Sequence, residues 1–508
     1  MSTSLNNKQI AKNTLLLYIR MTIIMLTSLY TSRIVLSVLG IDDYGIYNVV
    51  AGFVSLFTFL SSTISSGTSR FFAFEIGRSN SKNLHNYFRL SVLAFVLLSL
   101  IIFVLAETLG LWFVENKLVI PESRYYAALV VYQFSVLSFI VNMFSIPYKS
   151  MIIAQERFAF YAYLSIFEVI LLLLSVFLLK HLSYDKLILY GLFHLLISFF
   201  VLISFYLYSR FHYTESRYSF YWNRSMFNEF FNYSFWIIIG GLSSVLRGQG
   251  LNIVLNLFFG PVVNAARGVA YHIHSAINQF VNNFYTACRP QITKLYAAGE
   301  REQMMNLVFS SSRICYLLTL FFTLPIIIET PMILNIWLEE VPDYSVVFTR
   351  LVLLTILIEA ISYPFQTAVS ATGKIKWYQV ITGGLTILTL PIAYAFLRED
   401  YPPEIVFYVT LIMAILAQFS RILFMKYLLS MSVMLYLKDV ILRILLVSLT
   451  SIIVPLLLYI NMNSNICRFI GVILTSTFLV LLIGYFFGIT RNERNTIKRY
   501  LKEKVRIK

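Results

Sequence analysis

The sequence predicts an all-α polytopic membrane protein with about 14 transmembrane helices: two six-helix lobes related by a pseudo-two-fold axis along the membrane normal, plus two C-terminal helices. Three observations carry this. Of the 508 residues, 58% are hydrophobic and only 13% charged, against roughly a quarter charged in a soluble domain. Apolar runs long enough to cross a hydrocarbon core of about 30 Å follow one another along the whole chain. The first six runs and the next six match at an offset of about 217 to 220 residues.

The runs fall at about 14–38, 44–70, 88–109, 125–148, 159–180 and 187–209, then at 231–259, 262–287, 307–328, 345–370, 377–397 and 404–429, and finally at 439–461 and 467–489. The expected organisation is an N-lobe over 1–209, a polar basic linker over 210–230, a C-lobe over 231–430, two further spans within 431–490 and a basic tail over 491–508.

The net charge of +16 would suggest nucleic acid in a soluble chain. Here the basic residues collect in alternate inter-span loops and in the tail. One set of loops holds roughly 25 Lys and Arg and the other about 6, which is the positive-inside pattern and predicts that both termini are cytoplasmic. No nucleic-acid partner follows, and the tail reads as a surface segment near anionic membrane lipids. The opposite loops are acidic, as at Asp42-Asp43 and at Glu339, Glu340 and Asp343. Cys288, Cys315 and Cys467 have neither paired nor metal-ligand spacing, so no metal is expected. A polar N-terminus runs into a first span too long for a signal-peptide core, and is expected to be retained.

The repeat is clearest where Ser145-Ile146-Pro147-Tyr148 through Ala154, Arg157 and Tyr161 matches Ser362-Tyr363-Pro364-Phe365 through Ala371, Lys374 and Tyr378. Leu39-Gly40 and Phe259-Gly260 form a second match, each followed by a long helix closing at Gly77 or Gly299. An even number of spans per half inserts both halves the same way up, and such plans place a substrate site between the halves near mid-membrane.

An ionisable side chain at the bilayer centre costs at least about 2.5 kcal/mol unless it faces protein or water. Arg20, Arg33, Arg70, Arg247, Arg267, Arg313 and Arg350 lie within or near spans, against only Glu168 and Glu359. A hydrated cavity so lined would attract an anion. Arg70, Arg313 and Arg350 are close enough to span ends to snorkel to the headgroups. Arg33 and Arg267 sit in the outer third, where snorkelling and cavity lining are both open. Arg20 and Arg247 lie deeper and are expected to face a cavity.

In the eighth span Arg267, Tyr271, His274, Asn278, Asn282 and Tyr285 recur every three or four residues, one helical face. Serines in the second span form a milder stripe that reads as helix glue. An Arg, a His and two Asn on one face exceed what glue requires. His274 is therefore read as a cavity donor, and His272 and His194 as packing. Pro147 and Pro364 are a repeat-matched candidate hinge pair.

The stretch Asp42-Asp43-Tyr44-Gly45-Ile46-Tyr47-Asn48, the Ser/Thr-rich second span ending near Arg70-Phe71, and the Pro147 to Tyr161 segment resemble the polysaccharide-transport branch of the multidrug/oligosaccharidyl-lipid/polysaccharide (MOP) exporter superfamily. The nearest family in that branch is the Wzx-type O-antigen or capsule repeat-unit flippases. The resemblance implies a MATE-like pair of lobes around a cationic cavity in the bacterial cytoplasmic (inner) membrane. It implies no cofactor and no enzymatic step. It also implies a cargo of undecaprenyl-diphosphate-linked oligosaccharide, with Arg20, Arg33, Arg247 and Arg267 at the positions of matching location. A polysaccharide polymerase machinery would then be a partner. Coupling to H⁺ or Na⁺ would fall to Glu168 and Glu359. No Walker-type loop is present to supply nucleotide energy.

Two other functions compete with this one. A MATE-like cation or drug antiporter would want acids in its early helices, where this chain has Arg20 and Arg33. A membrane-embedded glycan polymerase or glycosyltransferase would need a sizeable external loop bearing catalytic acids, and the outward loops are about 20 residues or shorter.

Overall fold

The computed structural model describes residues 2–40, 43, 46, 47, 50, 58–117, 121–338, 341–491 and 493–495. Asp42, Tyr44, Gly45, Asn48, Glu339, Glu340 and most of the basic tail lie outside the described residues, as does the side chain of Arg33. Among the described residues every regular element is a helix. The protein is a multi-pass membrane protein.

The helices are α1 (Ser2–Leu39), α2 (Thr58–Gly77), α3 (Ser81–Asn116), α4 (Tyr125–Ala154), α5 (Phe158–Leu179), α6 (Lys186–His212) and α7 (Arg224–Gly260). Residues 261–297 form α8, followed by α9 (Arg301–Ile328), the short α10 (Thr330–Trp337), α11 (Ser345–Ala371), α12 (Lys376–Arg398), α13 (Ile405–Leu429), α14 (Val433–Asn461) and α15 (Ile466–Gly488). Eleven of these, rather than the expected fourteen, are long and apolar enough to cross a membrane. The three outside that count are α1, the expected second span, of which only part is described, and α8, which carries the polar stripe.

The internal repeat is written into the backbone. Left-handed residues occur at Gly40 and Gly260, at Ser79 and Gly299, and at Glu156 and Gly373, pairs 220, 220 and 217 positions apart. Each pair marks the same break between consecutive helices in the two halves. Packing repeats as well: α4 packs on α3 and α6 while α5 packs on α6, and correspondingly α11 packs on α9 and α13 while α12 packs on α13.

The chain forms two compact units, one of residues 11–238 and the other of residues 239–508 with the first ten residues. In the first unit, the aromatic interior includes Phe71, Phe72, Phe88, Phe95 and Tyr132, all essentially buried. Arg124 ties its acidic end together. Its guanidinium donates to both carboxylate oxygens of Asp43 and to Asp185, and Asp185 also accepts from the backbone N–H groups of Leu187 and Ile188 as the N-cap of α6.

In the second unit, α7 and α12 cross closely through small residues. A Cβ on Gly250 would lie 2.5 Å from Leu390, and one on Gly383 2.9 Å from the Ser243 hydroxyl. The hairpin of α14 and α15 is bolted to α9 at both ends. At one end Arg468 donates from Nε and Nη2 to the two oxygens of Glu329 at 2.8 and 2.9 Å, with Glu329 fully buried. At the other, Arg313 donates to the Glu493 carboxylate and to the Asp439 carbonyl. This cover explains why 61% of the most apolar 18 residues of α9 are buried, against 22% for α3.

Gly260 connects α7 to α8 without a loop, at φ 75° and ψ −166°, a backbone region essentially closed to other residues. Gly260→Ala should therefore destabilise the protein by about 1–3 kcal/mol. Gly268→Ala, in open space on a helical backbone, should be neutral or slightly stabilising. Thermal unfolding of the purified protein in detergent checks both.

Asp185 supplies a pH test. Partial burial raises its pKa, but hydrogen bonds from Arg124 and from the Ile188 and Leu187 N–H groups outweigh it and hold the carboxyl below its ordinary range. A depressed native pKa contributes stability above the unfolded value of about 3.9 and loses it as pH falls through the native value. Asp185→Asn, which keeps a capping acceptor, should melt lower than wild type at pH 7. The gap should close as the pH drops below about 4.

Candidate substrate site

Most intramembrane arginines turn out to be satisfied by the protein itself. Arg313 does not snorkel, being 3% exposed and bound to Glu493 and Asp439. Arg350 caps α9, donating to the carbonyls of Ile327 at 2.9 Å and Ile328 at 3.4 Å. Arg70 is buried against the rings of Phe71, Phe74 and Tyr233. Arg267 donates to the Gly248 carbonyl at 2.7 Å and to Asn252 Oδ1 at 3.2 Å, and stacks over Tyr271.

Two of the expected site residues are held differently. Arg20, on α1, lies over the Tyr161 ring at 4.5 Å, and its buried Nε has no hydrogen-bond partner among the described residues. Lys149 approaches the same ring at 5.2 Å. Glu168, two turns along α5 from Tyr161 and so on the same face, is within electrostatic reach of both cations. The cluster holds two cations and one acid. Tyr161 lies in the first turn of α5, so this site is near the basic end of its lobe rather than at mid-span.

Arg247, on α7, meets Glu359 of α11 through Nη1 and Nη2, both on the single oxygen Oε1, at 3.4 and 3.5 Å. Glu359 is roughly 20 Å from either end of α11 at 1.5 Å per residue, so this pair is at mid-span. His274 is electrostatically coupled to both partners. The two side chains are 21% and 23% exposed.

The polar stripe of α8 divides. Asn278 accepts from the Tyr363 hydroxyl at 2.8 Å and from Asn282 Nδ2 at 3.2 Å, and Tyr285 bonds Thr367. That lower part fastens α8 to α11. Asn282 is exposed, and His274 and Arg267 are partly buried. Pro147 and Pro364 are both buried inside their helices, α4 and α11. A cavity of about 340 Å³ beside Pro147, between α3, α4 and α6, has a largely apolar wall that includes Phe95, Phe144 and Leu202, with Tyr148 and Tyr206 also lining it and no cationic side chain among its lining residues.

The sequence reading missed Lys149 and Arg421. Lys149 lies inside the repeated motif but passes for a loop-proximal charge. Arg421 donates to the Ser362 hydroxyl at 3.2 Å and engages Tyr378. Since Tyr161 and Tyr378 are repeat-matched, each lobe sets a cation against the same tyrosine. Among the described residues no group of His, Cys, Asp and Glu could hold a metal ion.

Comparison with solved structures identifies the fold as that of the MOP superfamily of membrane transporters. An outward-facing multidrug resistance MATE-family transporter of that superfamily aligns at a TM-score of 0.71 with 14% identity, over 84% of this chain and 96% of its own. A MATE in the bent conformation aligns at 0.69 with 16% identity over the same shares. A MOP transporter from Pyrococcus furiosus, whose reverse polarity of binding pocket is described as suggesting a different function, aligns at 0.62 with 13% identity over 84% and 96%. No curated protein matches the chain. The family model for polysaccharide biosynthesis proteins matches residues 10–296, more than half of the chain, and the protein belongs to that family.

Proposed function

We propose that this protein is a flippase that carries an undecaprenyl-diphosphate-linked oligosaccharide from the cytoplasmic to the outer leaflet of a bacterial inner membrane, for surface polysaccharide assembly. The observation that carries the reading is the state of the intramembrane cations. Arg70, Arg267, Arg313 and Arg350 are held by carbonyls, carboxylates and rings; Arg313 leaves only its buried Nε unbonded while both its terminal nitrogens are engaged, whereas Arg20 makes no hydrogen bond among the described residues. Arg20 and Arg247 keep donors that the protein does not fully use.

An under-bonded guanidinium inside a membrane protein suits a phosphate, which it can grip with charge-assisted, bidentate hydrogen bonds. In this reading Arg20 and Lys149, near the basic end, receive the diphosphate on entry, and Arg247 holds it at mid-span. Asn282 and His274 offer donors to the sugars, and the lipid tail stays in the bilayer. Alternating access presents the headgroup to each side in turn. Moving negative charge outward gains about 2.3 kcal/mol per charge per 100 mV of an inside-negative potential. A cation or drug antiporter is disfavoured by the same polarity, since cations outnumber acids around Tyr161, Glu168 included, and Glu359 is already paired with Arg247.

In cells lacking the protein, surface display of the polymerised glycan should be lost and lipid-linked repeat units should accumulate on the cytoplasmic side. Wild type should restore display. Arg20→Ala and Arg247→Ala, at matched membrane abundance, should each reduce it at least about tenfold, the loss of roughly one charge-assisted contact. Full display without the protein would contradict the assignment, and full rescue by both alanine variants would contradict the site.

A further inference from the structure

The ion pairs of the second unit are of two kinds. Arg468 and Glu329 use two nitrogens and two oxygens at 2.8 and 2.9 Å with the carboxylate fully buried. Arg247 and Glu359 share only one oxygen, at 3.4 and 3.5 Å, with both side chains about a fifth exposed. The first geometry is that of a structural lock. The second lies at the outer limit of hydrogen bonding: Coulombic neutralisation without a committed contact.

We infer that Glu359 is an internal stand-in for the anionic cargo, neutralising Arg247 while the site is empty and ceding it when a diphosphate arrives. The inference rests on the reading of Arg247 as an anion site. Glu359 Oε2 accepts no hydrogen bond among the described residues, so the carboxylate can swing away without breaking another bond. A diphosphate offers two oxygens at charge-assisted distance in exchange for one at 3.4 Å. The exchange keeps the mid-span site close to neutral when empty, so that an unloaded lobe need not carry a bare charge through the bilayer centre. It also sets selectivity, because a monoanion no stronger than a carboxylate gains little by displacing Glu359.

The test uses the purified full chain in detergent with inorganic pyrophosphate as the probe, measured by isothermal calorimetry and by ligand-induced thermal shift. Removing the competitor in Glu359→Gln should tighten pyrophosphate binding on the order of tenfold and enlarge the thermal shift at a given concentration. Glu359→Asp, which keeps the charge but withdraws it by one methylene, should tighten binding by less, and it serves if the glutamine variant does not fold. Arg247→Gln should lose the binding that Glu359→Gln tightens, leaving no more than what Arg20 and Lys149 hold. If Arg247→Gln loses binding while Glu359→Gln binds no tighter than wild type, Glu359 is a structural partner and the inference is overturned. If Arg247→Gln binds as wild type does, the mid-span anion site is misplaced and this inference falls with it, while the proposed function is left to Arg20 and Lys149.

Discussion

Everything in this protein is arranged around one constraint: a charge inside a membrane must be answered by the protein, by water or by cargo. The structure answers most of its arginines locally. Arg468 and Arg313 are answered by Glu329 and Glu493, and in being answered they fasten the C-terminal hairpin to α9. Arg350 is answered by the spare carbonyls at the end of α9, and Arg267 by a carbonyl of α7. These are architectural charges. Against that background the under-used donors of Arg20 and Arg247 stand out, and function is read from the difference.

The two lobes solve this problem unequally despite their repeat. Both carry a tyrosine at the start of the fifth helix of the repeat, Tyr161 and Tyr378, with a cation against it. Arg421 is anchored on Ser362, while Arg20 and Lys149 share Tyr161 with fewer partners. Among the described residues, the ion pair of a mid-span arginine with an acid is in the second lobe, between Arg247 and Glu359. A repeat of this kind supplies the same scaffold twice and leaves each copy free to specialise its charges.

Much of the fold was legible in the sequence because it depends on local patterns. Apolar runs gave the helices. The Leu39-Gly40 and Phe259-Gly260 matches gave the breaks, which the backbone records as left-handed residues at those glycines. What stayed illegible depends on helix rotation and on distant pairing. Glu329 and Arg468 are 139 residues apart, and nothing in spacing announces that they meet. The α8 stripe was visible as a face, but that Asn278 turns to Tyr363 is a matter of which helix lies opposite. Lys149 was hidden because a lysine near a span end ordinarily reads as a headgroup anchor. Asp43, noticed as part of a family-like motif, proves to clamp Arg124.

The role proposed for the under-bonded cations within the spans is to move a lipid-linked diphosphate. It is tested most directly by reconstituting the purified protein in vesicles with a fluorescent undecaprenyl-diphosphate-linked sugar and following the label's passage between leaflets. Exchange should be fast with wild type and, with an Arg20→Gln/Arg247→Gln variant of unchanged melting temperature, no faster than in protein-free vesicles. Wild-type vesicles no faster than protein-free ones, or a double variant as fast as wild type, would contradict it.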